Sequence, residues 1–179
     1  MKKIWIFCAI GSVALLIILA LIVFHKKDNN ILEDEQNRFK AVHSQHYDQL
    51  DQLILLLDSI GGEYSITVVN GEAAFENNQG AKETISNDRL MFESIAKCSA
   101  ELFGDDISIR KRIEQGEPII VIEKRIDVSE SYFKHSWISV SLWYCDDQSS
   151  PTIQKQIKMH GDTMIWLDQH FAMITVGLV

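Results

Sequence analysis

The chain is poor in cysteine, proline and glycine, with three, two and nine among its 179 residues. Three cysteines cannot build a disulfide framework. No Cys-x-x-Cys or close Cys/His spacing offers a zinc site. The glycines form neither a P-loop nor a dinucleotide-binding fingerprint, and the lone Gly80 in the polar stretch at 76–84 cannot cradle a phosphate. G-x-S-x-G is missing, which removes the nucleophile elbow of the hydrolases. There is no internal repeat or low-complexity tract. These absences point away from an enzyme, and no catalytic residue, cofactor or metal is expected.

Charge is scarce in one place above all. Residues 4–24, IWIFCAIGSVALLIILALIVF, run for 21 positions without a charged side chain. As a helix rising 1.5 Å per residue, that run matches the ~30 Å hydrocarbon core of a bilayer. A cleavable signal peptide would have a shorter apolar region and a small-residue cleavage site, whereas Leu21, Ile22, Val23 and Phe24 are all large. Cys8 lies near the start of the run, the wrong order for a lipoprotein signal. The expectation is an uncleaved single-span anchor over residues 1–27. Lys2 and Lys3 balance Lys26 and Lys27, so the positive-inside rule is undecided. A two-residue tail is poorly suited to being the translocated end. This favours a protein of the inner (cytoplasmic) membrane with its C-terminal domain in the periplasm or outside.

Basic residues are the minority beyond the anchor. From Asp28 onward 13 of them face all 25 acidic residues, a net charge of −12. Such a domain does not attract nucleic acid or anionic lipid through its general field. It suits a cationic partner, or, as is more common, the charge merely keeps the domain soluble.

The fold expected after the anchor is α+β, with two helices packed on a mainly antiparallel β-meander. Residues 28–60 form a stalk and first helix. Leu32, Phe39, Val42, His46, Leu50, Leu53, Leu57 and Ile60 make one apolar stripe, closed by Gly61-Gly62. A homodimer through this helix is an alternative way to cover the stripe. Residues 61–179 make the α+β domain, against which the first helix packs. YSITVV at 64–69 and a return strand flank Asn70-Gly71, a type I′ hairpin signal. Met91, Ile95, Cys98 and Leu102 mark a second helix, capped near Ser86–Asp88 and ended by Gly104. Strands are expected from Asp105 to Ile113, at 119–126, at 132–145, and then at 152–160, 163–167 and 171–177.

Partner-binding candidates come from this pattern. Trp137 and Trp143 are six apart on one long strand and therefore share a face: left open, it offers both as anchors for a partner; covered by a helix, it takes them into the core, the commoner fate for at least one of them. Tryptophan is enriched in binding hot spots. Asp146 and Asp147 follow as an acidic rim, without the spacing of a calcium loop. His43 and His46, three apart on the first helix, lack an evident third metal ligand. His160, Asp162, Asp168 and His170 gather near two turns, where polar residues belong in any case. Outside a reducing cytoplasm, Cys98 and Cys145 should pair as a disulfide, since one lies on the inner face of the second helix and the other ends the longest strand. The function expected is a membrane-anchored acidic protein that sequesters a protein partner, most concretely an immunity or inhibitor protein against a toxin. The alternative is a structural subunit of an envelope assembly or secretion complex, with an anchored hydrolase third.

Overall fold

The computed structural model describes residues 30–75, 89–127, 137–160 and 163–177. The apolar run at 4–24, the cap at 86–88, the start of the strand expected from Tyr132, and Asp162 lie outside these residues. Among the described residues no helix is long and apolar enough to cross a membrane.

Four helices pack on a seven-stranded antiparallel sheet. Helix α1 covers residues 30–45 and α2 covers Tyr47–Ser59. They are one helical rod bent at His46 (φ −125°, ψ 31°). The hydrogen-bond ladder survives the bend: the His46 amide reaches Val42 O at 3.0 Å, and the Leu50 amide reaches His46 O at 2.9 Å. Strands β1 (Tyr64–Val69) and β2 (Glu72–Phe75) follow. After helix α3 (Arg89–Phe103) come β3 (Ile107–Glu114), β4 (Glu117–Asp127) and β5 (Trp137–Cys145). Helix α4 (Pro151–His160), β6 (Met164–Trp166) and β7 (Phe171–Gly177) complete the chain. The strand order is β2-β1-β3-β4-β5-β7-β6. It departs from a simple meander because β3 returns beside β1, and β7 inserts between β5 and β6.

Alternation along the strands sorts the core. Ile66, Ile109, Ile122, Leu142 and Met173 stand in register on one face. Helices α1, α2 and α3 cover that face with Phe39, Val42, Leu50, Leu53, Leu57, Ile95 and Phe103, all buried. Phe39 of α1 and Phe103 of α3 meet with ring centroids 4.9 Å apart. The helix end beside them is closed by Gly104 at φ +79°, where an added Cβ would come within 2.9 Å of the Arg38 guanidinium. The hairpin turns need positive φ as well: Asn70 and Gly71 at 53° and 73°, Gln115 and Gly116 at 56° and 88°.

The far end of α2 is finished by side chains from the sheet. Lys111 occupies an inward position of β3, in step with Ile107 and Ile109, and is only 5% exposed. Its Nζ donates to the carbonyls of Asp58 (2.6 Å) and Ile60 (3.0 Å). It also pairs with the Asp58 carboxylate at 2.8 Å. The Tyr64 hydroxyl donates to Leu57 O at 2.6 Å. These bonds satisfy carbonyls that a helix C-terminus leaves without intrahelical partners.

One expectation is corrected here. Residues 151–160 form a helix, not a strand: Pro151 takes the first helical position, which suits its missing N–H. Ile153 from this helix joins Ile119, Val121 and Cys145 in a second, smaller core on the opposite face of the sheet. The expected Cys98–Cys145 disulfide is not seen in the structure. Cys98 packs on α3 against the large core, with Sγ 3.8 Å from Gln49 O, while Cys145 points to the other side, and both are free thiols. Burial and then nearby acids, Asp146 first, push the Cys145 thiol up to about 11. At pH 8 only about one in a thousand such groups is a thiolate. Native protein should therefore resist alkylation at Cys145, and mass spectrometry should find the same mass with and without reductant. A two-hydrogen mass difference would restore the disulfide.

Candidate functional site

Among the described residues, the sheet face turned away from α1–α3 is covered only in part, by α4. Its side chains differ in kind from those of the other face. Register places Arg110 opposite Val121 and Trp143, Arg112 opposite Ile119 and Cys145, and Arg125 opposite Ser139. Three of the chain's five arginines thus share this face. So do Trp137, Trp143 and Trp166, which is three of its four tryptophans. Lysines of the same strands go the other way: Lys111 to α2, and Lys124 to Glu35 of α1 at 3.3 Å. Arg and Trp are the residue types in which binding hot spots are rich.

Two hollows lie on this face, with Arg110 between them. One is an open trough of about 580 Å³ lined by Ser65, Asp106, Ser108, Glu123, Arg125 and Trp137. Arg110 and Glu123 form an ion pair there, and the Arg125 guanidinium sits 4.9 Å from the Trp137 ring centre, a cation–π contact. The other hollow, of about 280 Å³, has a floor of Ile119, Val121 and Trp143 and a wall of Gln156 and Met159 from α4. The Trp143 indole is fixed in orientation, because Nε1–H donates to Ser141 Oγ at 2.9 Å and that hydroxyl donates to Ile174 O at 3.2 Å.

The four expected partner-binding residues do not form one cluster. Trp137 and Trp143 share the face, separated along β5 by roughly 20 Å at ~3.3 Å per residue. Asp146 and Asp147 lie beyond Trp143 and are engaged locally. Asp146 accepts the Tyr144 hydroxyl at 2.8 Å. Asp147 accepts the Ser149 amide and hydroxyl, both at 2.8 Å, in the turn that leads into α4, and these bonds hold its carboxyl below the usual value.

Of the two groupings suggested by spacing, the His160 side chain and Asp162 lie outside the described residues, and His43 and His46 do not come together. His46 is exposed at the bend. His43 instead donates through Nε2 to Asp168 Oδ2 at 2.7 Å. The second oxygen of Asp168 accepts the His170 and Phe171 amides at 2.7 and 2.8 Å. Among the described residues no group of three or more His, Cys, Asp or Glu is placed to hold a metal. This carboxylate therefore ties α1 to the turn before β7. Burial alone would raise its pKa. The His43 bond, the two amide bonds and the His43 charge outweigh burial and hold it below 3.8. The resulting stability is complete above about pH 4 and is lost as pH falls through the lowered value. Asp168→Asn should cost about 1.5 kcal/mol at pH 7 and flatten that acid-side loss in a urea–pH series; an unchanged acid profile would refute the role.

Acidic charge gathers beside this tie. Tyr47 and Tyr144 have their phenols raised by burial first. Asp168 and Asp51 add to the effect at Tyr47, while Asp146, Asp58 and Asp51 add to it at Tyr144. Alternation alone could have placed the arginines, since Arg110 and Arg112 fall out of step with Ile107 and Ile109. It could not have revealed which face the helices would choose. No family model matches the chain, and no similar curated protein or solved structure was found.

Proposed function

We propose that this chain is a membrane-anchored binding protein that sequesters a protein partner, in its most concrete form an immunity or inhibitor protein against a toxin. Residues 4–24 are the proposed single-pass anchor in the inner membrane, and the α+β domain is proposed to face the periplasm or outside. The observation that carries the reading is the concentration of Arg and Trp on the sheet face that, among the described residues, the helices leave partly open. The acidic edge around Tyr47 and Tyr144 supports a partner of net positive charge, drawn in by long-range attraction.

Trp137 and Arg125 form the proposed anchor pair of that face. Capture from envelope extracts with the full chain and with a Trp137→Ala/Arg125→Ala variant tests the reading. A soluble protein held by the native chain should bind at least about thirtyfold more weakly to the variant, the scale of a hot-spot loss of 2 kcal/mol. Its association should slow with salt, because the Debye length falls from ~10 Å at 0.1 M to ~3 Å at 1 M. Recovery of other membrane subunits alone, equally by both proteins, would favour the envelope-assembly reading and end this one.

A further inference from the structure

We infer that the smaller hollow, between α4 and strands β3–β5, is a pocket for a carboxylate carried on an apolar stem, presented by the partner as an acidic residue next to an apolar or aromatic one. This rests on the partner-binding reading and names the chemistry of a second contact on the same face, beside the Trp137–Arg125 pair.

The floor is apolar and fixed in place. Ile119 and Val121 are 2% and 5% exposed, and the Trp143 ring is held by its indole hydrogen bond. Met159, at 62% exposure, leans a flexible thioether over the rim, a side chain suited to adapting around an apolar guest. The charges are not equivalent. Arg110 is already paired to Glu123. Arg112 is exposed on the same wall and makes no ion pair among the described residues. Its planar fork can take a carboxylate in two parallel hydrogen bonds, which a lysine could not do.

The competing charge on this wall is Glu114. It stands opposite Glu117 at the hairpin end, where two directly opposed carboxylates repel and favour water. A cationic guest would have to sit there, at the hairpin tip and away from the apolar floor. A carboxylate at Arg112 lets its stem reach that floor. The domain's overall field can therefore attract a cationic protein while this second contact takes an acidic group from it.

The test uses the full chain in detergent micelles, with ¹⁵N-labelled tryptophan and the Trp143 indole signal assigned by Trp143→Phe. The probe is 3-phenylpropionate, with phenethylamine as its cationic counterpart. Millimolar 3-phenylpropionate should shift the Trp143 signal saturably, Arg112→Gln should weaken this at least fivefold, and phenethylamine should leave the signal in place. An equal response to the amine, an unchanged affinity in Arg112→Gln, or no saturable shift would overturn the pocket. Loss of the pocket with partner capture intact sinks this inference alone. Probe binding without any captured partner sinks the partner reading and leaves a small-molecule carboxylate site.

Discussion

Replacing Lys111 with Met should destabilise the domain by about 3 kcal/mol, although the substitution keeps an apolar stem of similar length. The salt bridge is the minor part of this. Asp58 is 51% exposed, and a pair with one solvated partner is worth under about 1 kcal/mol. The larger part is the pair of carbonyls at Asp58 and Ile60, which lose their donor at a helix end covered by the sheet. Each orphaned buried acceptor costs about 1–3 kcal/mol. Urea denaturation of the chain from Asn30 onward should show a midpoint lowered by about 1.5 M with an unchanged slope. A loss below 1 kcal/mol would mean that water replaces the ammonium without penalty.

Phe39→Ala should cost about 4 kcal/mol. Phe39 is fully buried against Phe103, and truncation of a buried phenylalanine removes both its transfer energy and the contacts lining the void. The measurement also decides what α1 is. If residues 30–45 were a solvated spacer, the substitution would be neutral in the same denaturation experiment. Exposed Leu55 on α2, by contrast, should tolerate alanine with less than about 0.5 kcal/mol of change.

Much of the chain announced itself through local chemistry. The stripe from Phe39 to Ile60 makes a helical rod, Asn70-Gly71 makes a hairpin, and the 91–102 spacing with Gly104 makes α3, because each is settled by neighbours in sequence. The segment at 151–160 was ambiguous on that basis. Ile153 and Ile157 are four apart, as in a helix, yet with Met159 they also occupy alternate positions, as in a strand. Pro151 following a serine was the deciding signal, and it favours a helix start. Lys111 could not be foreseen as buried, since what makes burial tolerable is the end of a helix 51 residues away in sequence. The same limit applies to Cys98 and Cys145. Cys98 reads as inward-facing and Cys145 only as the end of a strand; a sheet has two insides, and only register tells them apart. His43 and Asp168 likewise meet across 125 positions, so spacing suggested other companions for both.

The outer strands of the sheet are its shortest, four residues in β2 and three in β6. Among the described residues, few backbone donors and acceptors are therefore left open along either border, and a stray extended chain finds little to zip onto. A protein that keeps an adhesive face of arginine and tryptophan available risks sticking to its own copies. Here the borders are closed to runaway strand addition, so attachment is directed to side chains on the face, where shape and charge can reject the wrong guest.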